Sequence, residues 1–484
     1  MTIPSRAQPV RIFDWDSQNL FAGFSGDRNP IHMDPMAARR THAGQPVVHG
    51  MHAVLWALEL LARDRDPKKL IAQVKVRFQR LIYVGETVAL NVTGQDIDEA
   101  FVQLQIDGLP VTLLNIAFGE PKSTATNEEG CDAIPPPVWP EEPIELSFSE
   151  IVRASGRLAF AHDAAIAEST FPFLSALIGA QRVSALACMS RLVGMVCPGL
   201  NSTLFSVTIR ATEQSGALDS LRYKVSSVHD QFRLVKQTVE GGGWSGTIES
   251  IARFPPVLQD PVEHLACLVQ RDEFHGTHAL IIGGSRGLGE LTAKLIAAGG
   301  GAVTITYAVG LNDALEVQRQ IREWGGTCEI MQYDATLPAS EQLARCRPHI
   351  TSLYFFATTP IFLRKTQFYS RAIFEKFYRI YVDGFYEACI SALDHSNLGI
   401  SVLYPSSVAV VDRPGDMTEY AMAKSAGEIL CADLERSDKR FRILVERLPR
   451  MLTDQTATVI PAKAMSPVEV MLPIVRCVEG KEKL

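Results

Sequence analysis

The 484-residue sequence predicts an α+β region followed by an α/β region built on a doubly wound parallel sheet. In the first part, a long apolar helix is followed by several strand-like runs, and this order occurs twice. The last part instead alternates short apolar strands with helices, which is typical of a parallel sheet covered on both faces. Two stretches of connector composition separate the blocks.

The first two blocks share one order of elements. Residues 49–62 have the length and apolar period of a buried helix, and four strand-like runs follow them. Residues 176–196 are again helical in pattern, and four more strand-like runs follow. This order indicates two copies of an α+β unit whose sheet wraps its helix. Any α+β domain can begin in this way, so element order alone leaves both interpretations open.

Composition predicts where the domains end. Residues 121–144 are rich in Pro, Glu, Ser and Thr without an apolar period, which predicts a linker after a first domain at residues 1–120. A second polar stretch precedes residue 276, which separates a second domain at residues 145–258 from a third at residues 276–484.

Charge and cysteine usage exclude several classes of protein. The net charge of −7 offers no basic field for a nucleic acid or an anionic membrane surface. Nine cysteines stand singly, which argues against a disulfide framework and a thiolate metal site and favours a reducing compartment. The histidines at positions 162, 229, 264 and 275 have no partner at metal-ligand spacing, so we expect no metal. No signal or membrane-spanning segment is recognisable, and we expect a cytoplasmic protein.

A glycine-rich turn opens the third block. The strand at residues 279–282 leads directly into G-G-S-R-G-L-G, and a helix follows. Such glycines let the backbone approach a pyrophosphate, whose charge then lies at the helix N-terminus. A plain tight turn can carry the same string, but the strand–turn–helix context favours a dinucleotide site. The predicted cofactor-binding residues here are Gly283, Ser285, Arg286, Gly287, Leu288 and Gly289.

The second strand of this block favours one coenzyme. It ends in T-I-T-Y at residues 304–307, without the carboxylate that usually holds an NAD ribose hydroxyl. Arg286 offers a guanidinium group that suits a 2′-phosphate. We therefore expect NADP(H).

Tyr420 and Lys424 lie four apart on a helical pattern, hence on one face, and Ser407 ends the preceding strand. A phenol with a pKa near 10 works as an acid or base at neutral pH only if a nearby cation stabilises its phenolate, which Lys424 would do. Tyr and Lys at this spacing are common on exposed helices. The glycine turn upstream favours the catalytic interpretation.

With these motifs, residues 276–480 resemble the short-chain dehydrogenase/reductase family, which has a Rossmann-type fold. The resemblance implies that Ser407, Tyr420 and Lys424 form the catalytic triad. It also implies that Asp334 faces the adenine and that Thr453 contacts the nicotinamide amide. The sequence departs from the family pattern at three places, which are Ile282 before the glycine turn, F-A-T at residues 356–358 in place of N-A-G, and Asp383 in place of a proton-relay asparagine. The last change puts the proton path to Tyr420 in question.

The first block carries F-S-G-D-R-N-P-I-H and then P-V-V-H-G-M at the start of its helix. Asp27 and His32 place a carboxylate and an imidazole close enough to share a water or hydroxyl, and Gly50 offers a backbone N–H to a carbonyl oxygen. This set suits the addition of water to an unsaturated acyl thioester, or its removal. Turn capping and a surface histidine are the plainer explanation of the same residues.

These strings resemble the MaoC-like, R-specific enoyl thioester hydratases, a hotdog-fold family, over residues 10–120. The resemblance implies that Asp27 and His32 are the catalytic pair, that Gly50 is the oxyanion donor and that Asn29 braces the loop. The second block would then be a degenerate hotdog that widens the acyl tunnel. It lacks the motif, and Ser190 and residues 197–202 are interpreted as structural.

The sequence thus predicts an α+β double hotdog followed by a short-chain reductase. We expect a bifunctional enzyme that reduces 3-oxoacyl thioesters with NADPH and interconverts 3-hydroxyacyl and 2-enoyl thioesters, in fatty acid or polyketide-type biosynthesis. Its partners would be acyl groups on coenzyme A or a carrier protein, within a homodimer. Three alternatives stay open: an oxidative enzyme working in reverse, a non-catalytic NADP sensor, and a reductase whose hotdogs only hold an acyl carrier.

Overall fold

The structure is a computed structural model that describes residues 8–63, 65, 69–120, 138–160, 164–213, 220–346, 349–361, 368–396, 398–451, 453 and 465–482. Its residues form two compact units, and the chain passes from one to the other between Pro255 and Pro256. Most of the predicted linker, residues 121–137, lies outside the described residues.

The first unit contains ten strands and eight α-helices among its described residues. They are β1 (Val10–Ile12), α1 (Trp15–Ser25), α2 (Pro30–Met33), α3 (Pro35–Arg39), α4 (Gly50–Arg63), β2 (Ile71–Phe78), β3 (Thr87–Gln95), β4 (Glu99–Ile106), β5 (Leu109–Phe118), α5 (Phe148–Ile151), β6 (Ser155–Ala159), α6 (Ala164–Thr170), α7 (Pro172–Ile178), α8 (Ala180–Arg191), β7 (Ser202–Ala211), β8 (Ser220–His229), β9 (Leu234–Gly241) and β10 (Trp244–Ala252).

These strands form one sheet in the order β1-β3-β4-β5-β2-β7-β10-β9-β8-β6. The two halves have the same internal order, and they join where β2 pairs antiparallel with β7, from Gln73 opposite Arg210 to Arg77 opposite Ser206. Each half surrounds its own long helix, α4 or α8, whose residues are mostly buried. The prediction of two copies of a helix-plus-meander unit is therefore confirmed.

The prediction of one continuous helix over residues 176–196 is wrong. α7 ends at Ile178, and Gly179 adopts a φ of 87°, a left-handed value that favours glycine and breaks the helix. α8 ends at Arg191, and the chain continues as a π-helical turn over Leu192–Val196. Such turns are frequent at functional sites.

The second unit consists of a parallel sheet with helices between its strands. Its elements are α9 (Val262–Leu265), β11 (His278–Ile282), α10 (Gly287–Ala298), β12 (Ala302–Tyr307), α11 (Leu311–Glu323), β13 (Thr327–Gln332), α12 (Ala339–Leu343), β14 (Ser352–Phe355), α13 (Arg371–Tyr378), a π-helical turn (Arg379–Gly384), α14 (Phe385–Asp394), β15 (Ile400–Ser407), α15 (Ala409–Asp412), α16 (Thr418–Ser437), β16 (Phe441–Leu448) and α17 (Pro467–Val478).

Its strand order is β13-β12-β11-β14-β15-β16. From β11 the chain first adds strands on one side of the sheet, and from β14 onwards it adds them on the other side. All five pairings are parallel. In such sheets, ligands bind at the carboxyl ends of the strands beside this reversal. The doubly wound prediction is confirmed, and the glycine turn after β11 lies at that end.

Within the described residues, no single helix is both long and apolar enough to cross a membrane. The buried segments Pro172–Ile178 and Ala180–Val196 meet the criterion only when counted together, across a bend of 112°.

Candidate active sites

Asp27 lies in the loop after α1, and His32 lies in the short helix α2 that follows this loop. Gly26 ends α1 with a φ of 71°, which turns the chain sharply. Asn29 caps α2, since its side-chain oxygen accepts the N–H of Ile31 at 3.1 Å. Asn29 therefore stabilises the start of the helix that carries His32.

The two predicted catalytic side chains face each other. His32 Nε2 lies 4.0 Å from Asp27 Oδ2, and a single cavity is lined by both residues and by Gly50, the first residue of α4. His32 Nδ1 lies 2.7 Å from the carbonyl oxygen of Val47. Because a carbonyl only accepts, Nδ1 carries the proton, and the lone pair of the neutral ring is on Nε2.

Burial acts on both groups in a way that favours their neutral forms. Burial raises the pKa of Asp27, while His32, the Ser190 hydroxyl and the Asn29 N–H oppose the rise. Burial lowers the pKa of His32, and the Asp27 charge opposes that fall. Shifts in these directions suit a proton donor at Asp27 and a proton acceptor at His32.

The second half of the sheet contributes directly to this site, contrary to the structural role predicted for Ser190. The Ser190 hydroxyl, at the end of α8, donates to Asp27 Oδ2 at 2.7 Å. Gly194, in the π-helical turn that follows, leaves room for the carboxylate, since a Cβ there would lie 2.5 Å from Asp27 Oδ1. No local pattern in the sequence signals either contact, because they join residues more than 160 positions apart.

Asn29 also joins the two halves. Its amide nitrogen donates to the carbonyl oxygens of Gly194, Gly199 and Leu200 at 2.6, 3.3 and 3.2 Å. Its own backbone N–H donates to Asp27 Oδ1 at 3.1 Å. The loop that carries Asp27 is thus hydrogen bonded to the segment that follows α8.

Asp27, His32 and His49 bring three ligand-type atoms within 4.8 Å of one another. The rings of His32 and His49 are stacked, with centroids 4.1 Å apart and planes inclined by 26°. Since an imidazole lone pair lies in the ring plane, stacked rings direct their lone pairs side by side instead of at one point. This geometry suits acid–base chemistry better than metal binding.

In the second unit, the glycine turn has the close approaches that a dinucleotide site requires. Gly283 and Gly287 have φ values of 83° and 60°. A Cβ on Gly289 would overlap the carbonyl oxygen of Gly283, so the first turn of α10 packs tightly on the strand end. The N–H of Gly283 donates to the hydroxyl of Thr306 at 3.0 Å, which fixes the turn against β12.

Four further residues that the sequence predicts to bind the cofactor follow strands of this sheet. Ser285 is buried, and Arg286 is the extended residue before α10. Asp334 follows β13, and its Oδ1 accepts the N–H and the hydroxyl of Thr336 at 2.8 and 2.7 Å. Thr453 follows β16 and is partly exposed.

Ser407, Tyr420 and Lys424 come together where β15 ends against α16. Ser407 and Tyr420 share a side-chain hydrogen bond, while burial raises the pKa of Tyr420. Lys424 Nζ donates to the carbonyl oxygen of Pro405 at 2.6 Å and lies 5.9 Å from the centre of the Tyr420 ring. Burial lowers the pKa of Lys424 to about 7.

The carboxylate of Asp383, which the sequence predicts in place of a proton-relay asparagine, faces the segment around Tyr378. It shares a hydrogen bond with Tyr378 and interacts with Arg379 and Glu387. These residues line a surface cavity whose lining includes neither Tyr420 nor Lys424.

The folds define two kinds of domain in one chain: a hotdog of the MaoC-like dehydratase type and a parallel sheet of the short-chain oxidoreductase type. Residues 4–107 match the family model of the MaoC like domain, and residues 277–462 match that of the short chain dehydrogenase. The chain therefore joins a MaoC-like domain to a short-chain dehydrogenase domain.

Several oxidoreductases are similar to this chain. The uncharacterized oxidoreductase YgfF of Escherichia coli K12 is 29% identical over 173 residues, which are 32% of this chain and 68% of that protein. A short chain dehydrogenase from Escherichia coli CFT073, complexed with NADPH, has a TM-score of 0.40 at 16% identity and covers 43% of this chain and 93% of its own. The landomycin C-6 ketoreductase LanV, with NADP and rabelomycin bound, has a TM-score of 0.35 at 22% identity and covers 40% and 81%.

Proposed function

We propose that the chain is a bifunctional acyl-thioester enzyme. Its short-chain dehydrogenase domain reduces a 3-oxoacyl thioester with NADPH, and its MaoC-like domain interconverts the 3-hydroxyacyl and 2-enoyl thioesters. The observation that carries the proposal is the cavity in which Asp27, His32 and Gly50 meet. The acyl group is carried by coenzyme A or by a carrier protein.

For dehydration, we assign His32 Nε2 as the base and the Asp27 carboxyl as the acid. His32 removes a proton from C2, the C2–C3 double bond forms, and the C3–O bond breaks. The hydroxyl takes the proton of Asp27 and leaves as water. Charge that develops on the thioester oxygen meets the N–H of Gly50 at the positive end of α4. Hydration is the same path in reverse.

NADP(H) fits the second unit because the glycine turn admits no Cβ at Gly289 and opens onto the N-terminus of α10. When bound, it supplies the hydride for the carbonyl carbon. Arg286 would hold a 2′-phosphate and Asp334 the adenine. Tyr420 donates the proton to the substrate oxygen, Ser407 hydrogen bonds to that oxygen, and the Lys424 ammonium stabilises the phenolate that remains.

The two activities share the 3-hydroxyacyl intermediate. Because both domains belong to one polypeptide, a product released from one site meets the other site at a raised effective concentration. The preference for NADPH favours the reductive direction over the oxidative one. The Asp27–His32 pair favours a dehydratase over hotdogs that only hold an acyl carrier, and the Tyr420–Lys424 pair favours a reductase over a nucleotide sensor.

The test is to follow NADPH oxidation with 3-oxoacyl thioesters of graded chain length and to measure the mass of each product. We expect NADPH oxidation together with a product that has lost water. NADPH oxidation with only the hydroxy product would exclude the dehydratase, and no oxidation with any thioester would exclude the reductase.

Two variants separate the activities. Asp27→Asn is expected to abolish hydration of a short enoyl-CoA and to retain NADPH oxidation. Tyr420→Phe is expected to do the opposite. Unchanged hydration in Asp27→Asn would refute the dehydratase assignment.

A further inference from the structure

The Lys424 side chain lies among aromatic rings. Its Nζ is 3.9 Å from the centre of the Tyr381 ring, against 5.1 Å for Tyr404 and 5.9 Å for Tyr420. All three distances fall within the range of about 6 Å for a cation–π contact, and Tyr381 is the nearest of the three. Tyr381 and Lys424 are both buried, where such interactions are strongest.

Tyr381 is held so that its ring stays under the ammonium. It lies in the π-helical turn before α14 and is 1% exposed. Its ring stacks on Phe377 at 5.8 Å with an interplanar angle of 7°, and its hydroxyl is 2.5 Å from the hydroxyl of Thr358. The edge of Tyr420 meets the same ring at 5.6 Å. Tyr381 therefore contacts both members of the Tyr420–Lys424 pair.

We propose that Tyr381 is a positioning residue for the reductase, whose ring face holds the Lys424 ammonium in place beside Tyr420. The inference deepens the proposed reductase function and rests on it. In this proposal an aromatic ring positions the Lys424 ammonium. The carboxylate of Asp383 does not do so, because it hydrogen bonds to Tyr378.

Other groups around Lys424 also affect its pKa or contact its side chain. Glu428 and Cys431, on the same helix, raise the pKa of Lys424 against the larger effect of burial. Glu428 is itself paired with Arg447 from β16. Tyr404 and the Pro405 carbonyl face Lys424 from β15. All of these groups are retained in a variant that lacks the Tyr381 ring.

The test compares Tyr381→Leu, which removes the aromatic face, with Tyr381→Phe, which keeps it and loses only the hydroxyl. Loss of the ring destabilises the ammonium and lowers the pKa of Lys424. Reduction needs the ammonium, so activity is lost as pH rises through that pKa. We expect the basic limb of the kcat/KM profile to move to lower pH by about one unit in Tyr381→Leu and to stay in place in Tyr381→Phe.

A second readout does not depend on turnover. Trace labelling of the full chain with acetic anhydride, followed by peptide mass analysis, gives the pH midpoint for acetylation of Lys424. We expect the same downward shift in Tyr381→Leu. If that variant fails to bind NADPH or melts at a much lower temperature than the wild type, Tyr381→Met serves as the ring-free variant of similar bulk.

Equal midpoints in the wild type and the ring-free variant would overturn the inference. An equal shift in Tyr381→Phe would also overturn it, since the hydroxyl bond to Thr358 would then be responsible. A wild-type chain that reduces no thioester refutes the proposed function, while the labelling midpoints still decide the role of Tyr381.

Discussion

Replacing Ser190 by alanine tests whether the second half of the sheet takes part in the chemistry of the first. The Ser190 hydroxyl donates to Asp27 Oδ2 at 2.7 Å, and Asp27 is 1% exposed, so water cannot readily replace the lost donor. A hydrogen bond to a charged group contributes about 1.5–3 kcal/mol, and one pKa unit corresponds to about 1.4 kcal/mol. The change should therefore raise the pKa of Asp27 by roughly one to two units.

The direction of the effect on activity follows from the role of Asp27 as an acid. A group whose pKa is raised stays protonated to higher pH, so dehydration persists further into the basic range. We expect the basic limb of the pH profile for dehydration of a 3-hydroxyacyl-CoA to move up by roughly one to two pH units in Ser190→Ala.

Ser184→Ala is the matched control, because Ser184 is also buried in α8 and its hydroxyl donates to the carbonyl of Ala180 at 3.1 Å. This variant should keep the wild-type profile. If both alanine variants give the same profile, or if the limb in Ser190→Ala moves down, the acid role of Asp27 and the contribution of Ser190 are refuted.

Two further predictions concern glycines with no space for a side chain. Gly194→Ala would push a methyl group against the Asp27 carboxylate, so dehydration should fall on the order of 100-fold while NADPH oxidation is kept. Gly23→Ala, where a Cβ has no neighbour within 4 Å, should leave both rates unchanged, and equal losses in the two variants would contradict the prediction. Gly289→Ala should abolish NADPH binding in a fluorescence titration because its Cβ overlaps the backbone of the coenzyme turn. Gly415→Ala, which also meets nothing within 4 Å, should bind normally, and tight binding by Gly289→Ala would show that the turn is not the coenzyme site.

The architecture could be predicted from the sequence because local sequence patterns determine its helices and strands. Because one face of the helix Gly50–Arg63 and of the strands after it is buried, apolar residues recur at the period typical of each element. The glycine turn after Ile282 and the Tyr420–Lys424 spacing are likewise local, so their positions in the fold follow once the elements are known. The break at Gly179 was missed because the apolar period runs on through it.

The parts of the sites that could not be predicted depend on contacts between distant segments. Ser190 is one more polar residue on a buried helix until the sheet brings it to Asp27. A motif match places Asp383 in the chain but does not determine where its carboxylate points, and the structure turns it towards Tyr378. Nothing in the sequence around Tyr381 indicates that its ring lies under a lysine.

The seam between β2 and β7 has a consequence for how such a site can change. In an assembly of two identical subunits, every substitution occurs in both subunits. A residue that supports a site in one subunit is therefore also present in the other subunit, even where it has no role there. Here the partners are stretches of a single polypeptide, and each position is free to vary alone. One half carries Asp27 and His32, while the other contributes Ser190 and Gly194 to the surroundings of Asp27, so the two halves are no longer interchangeable.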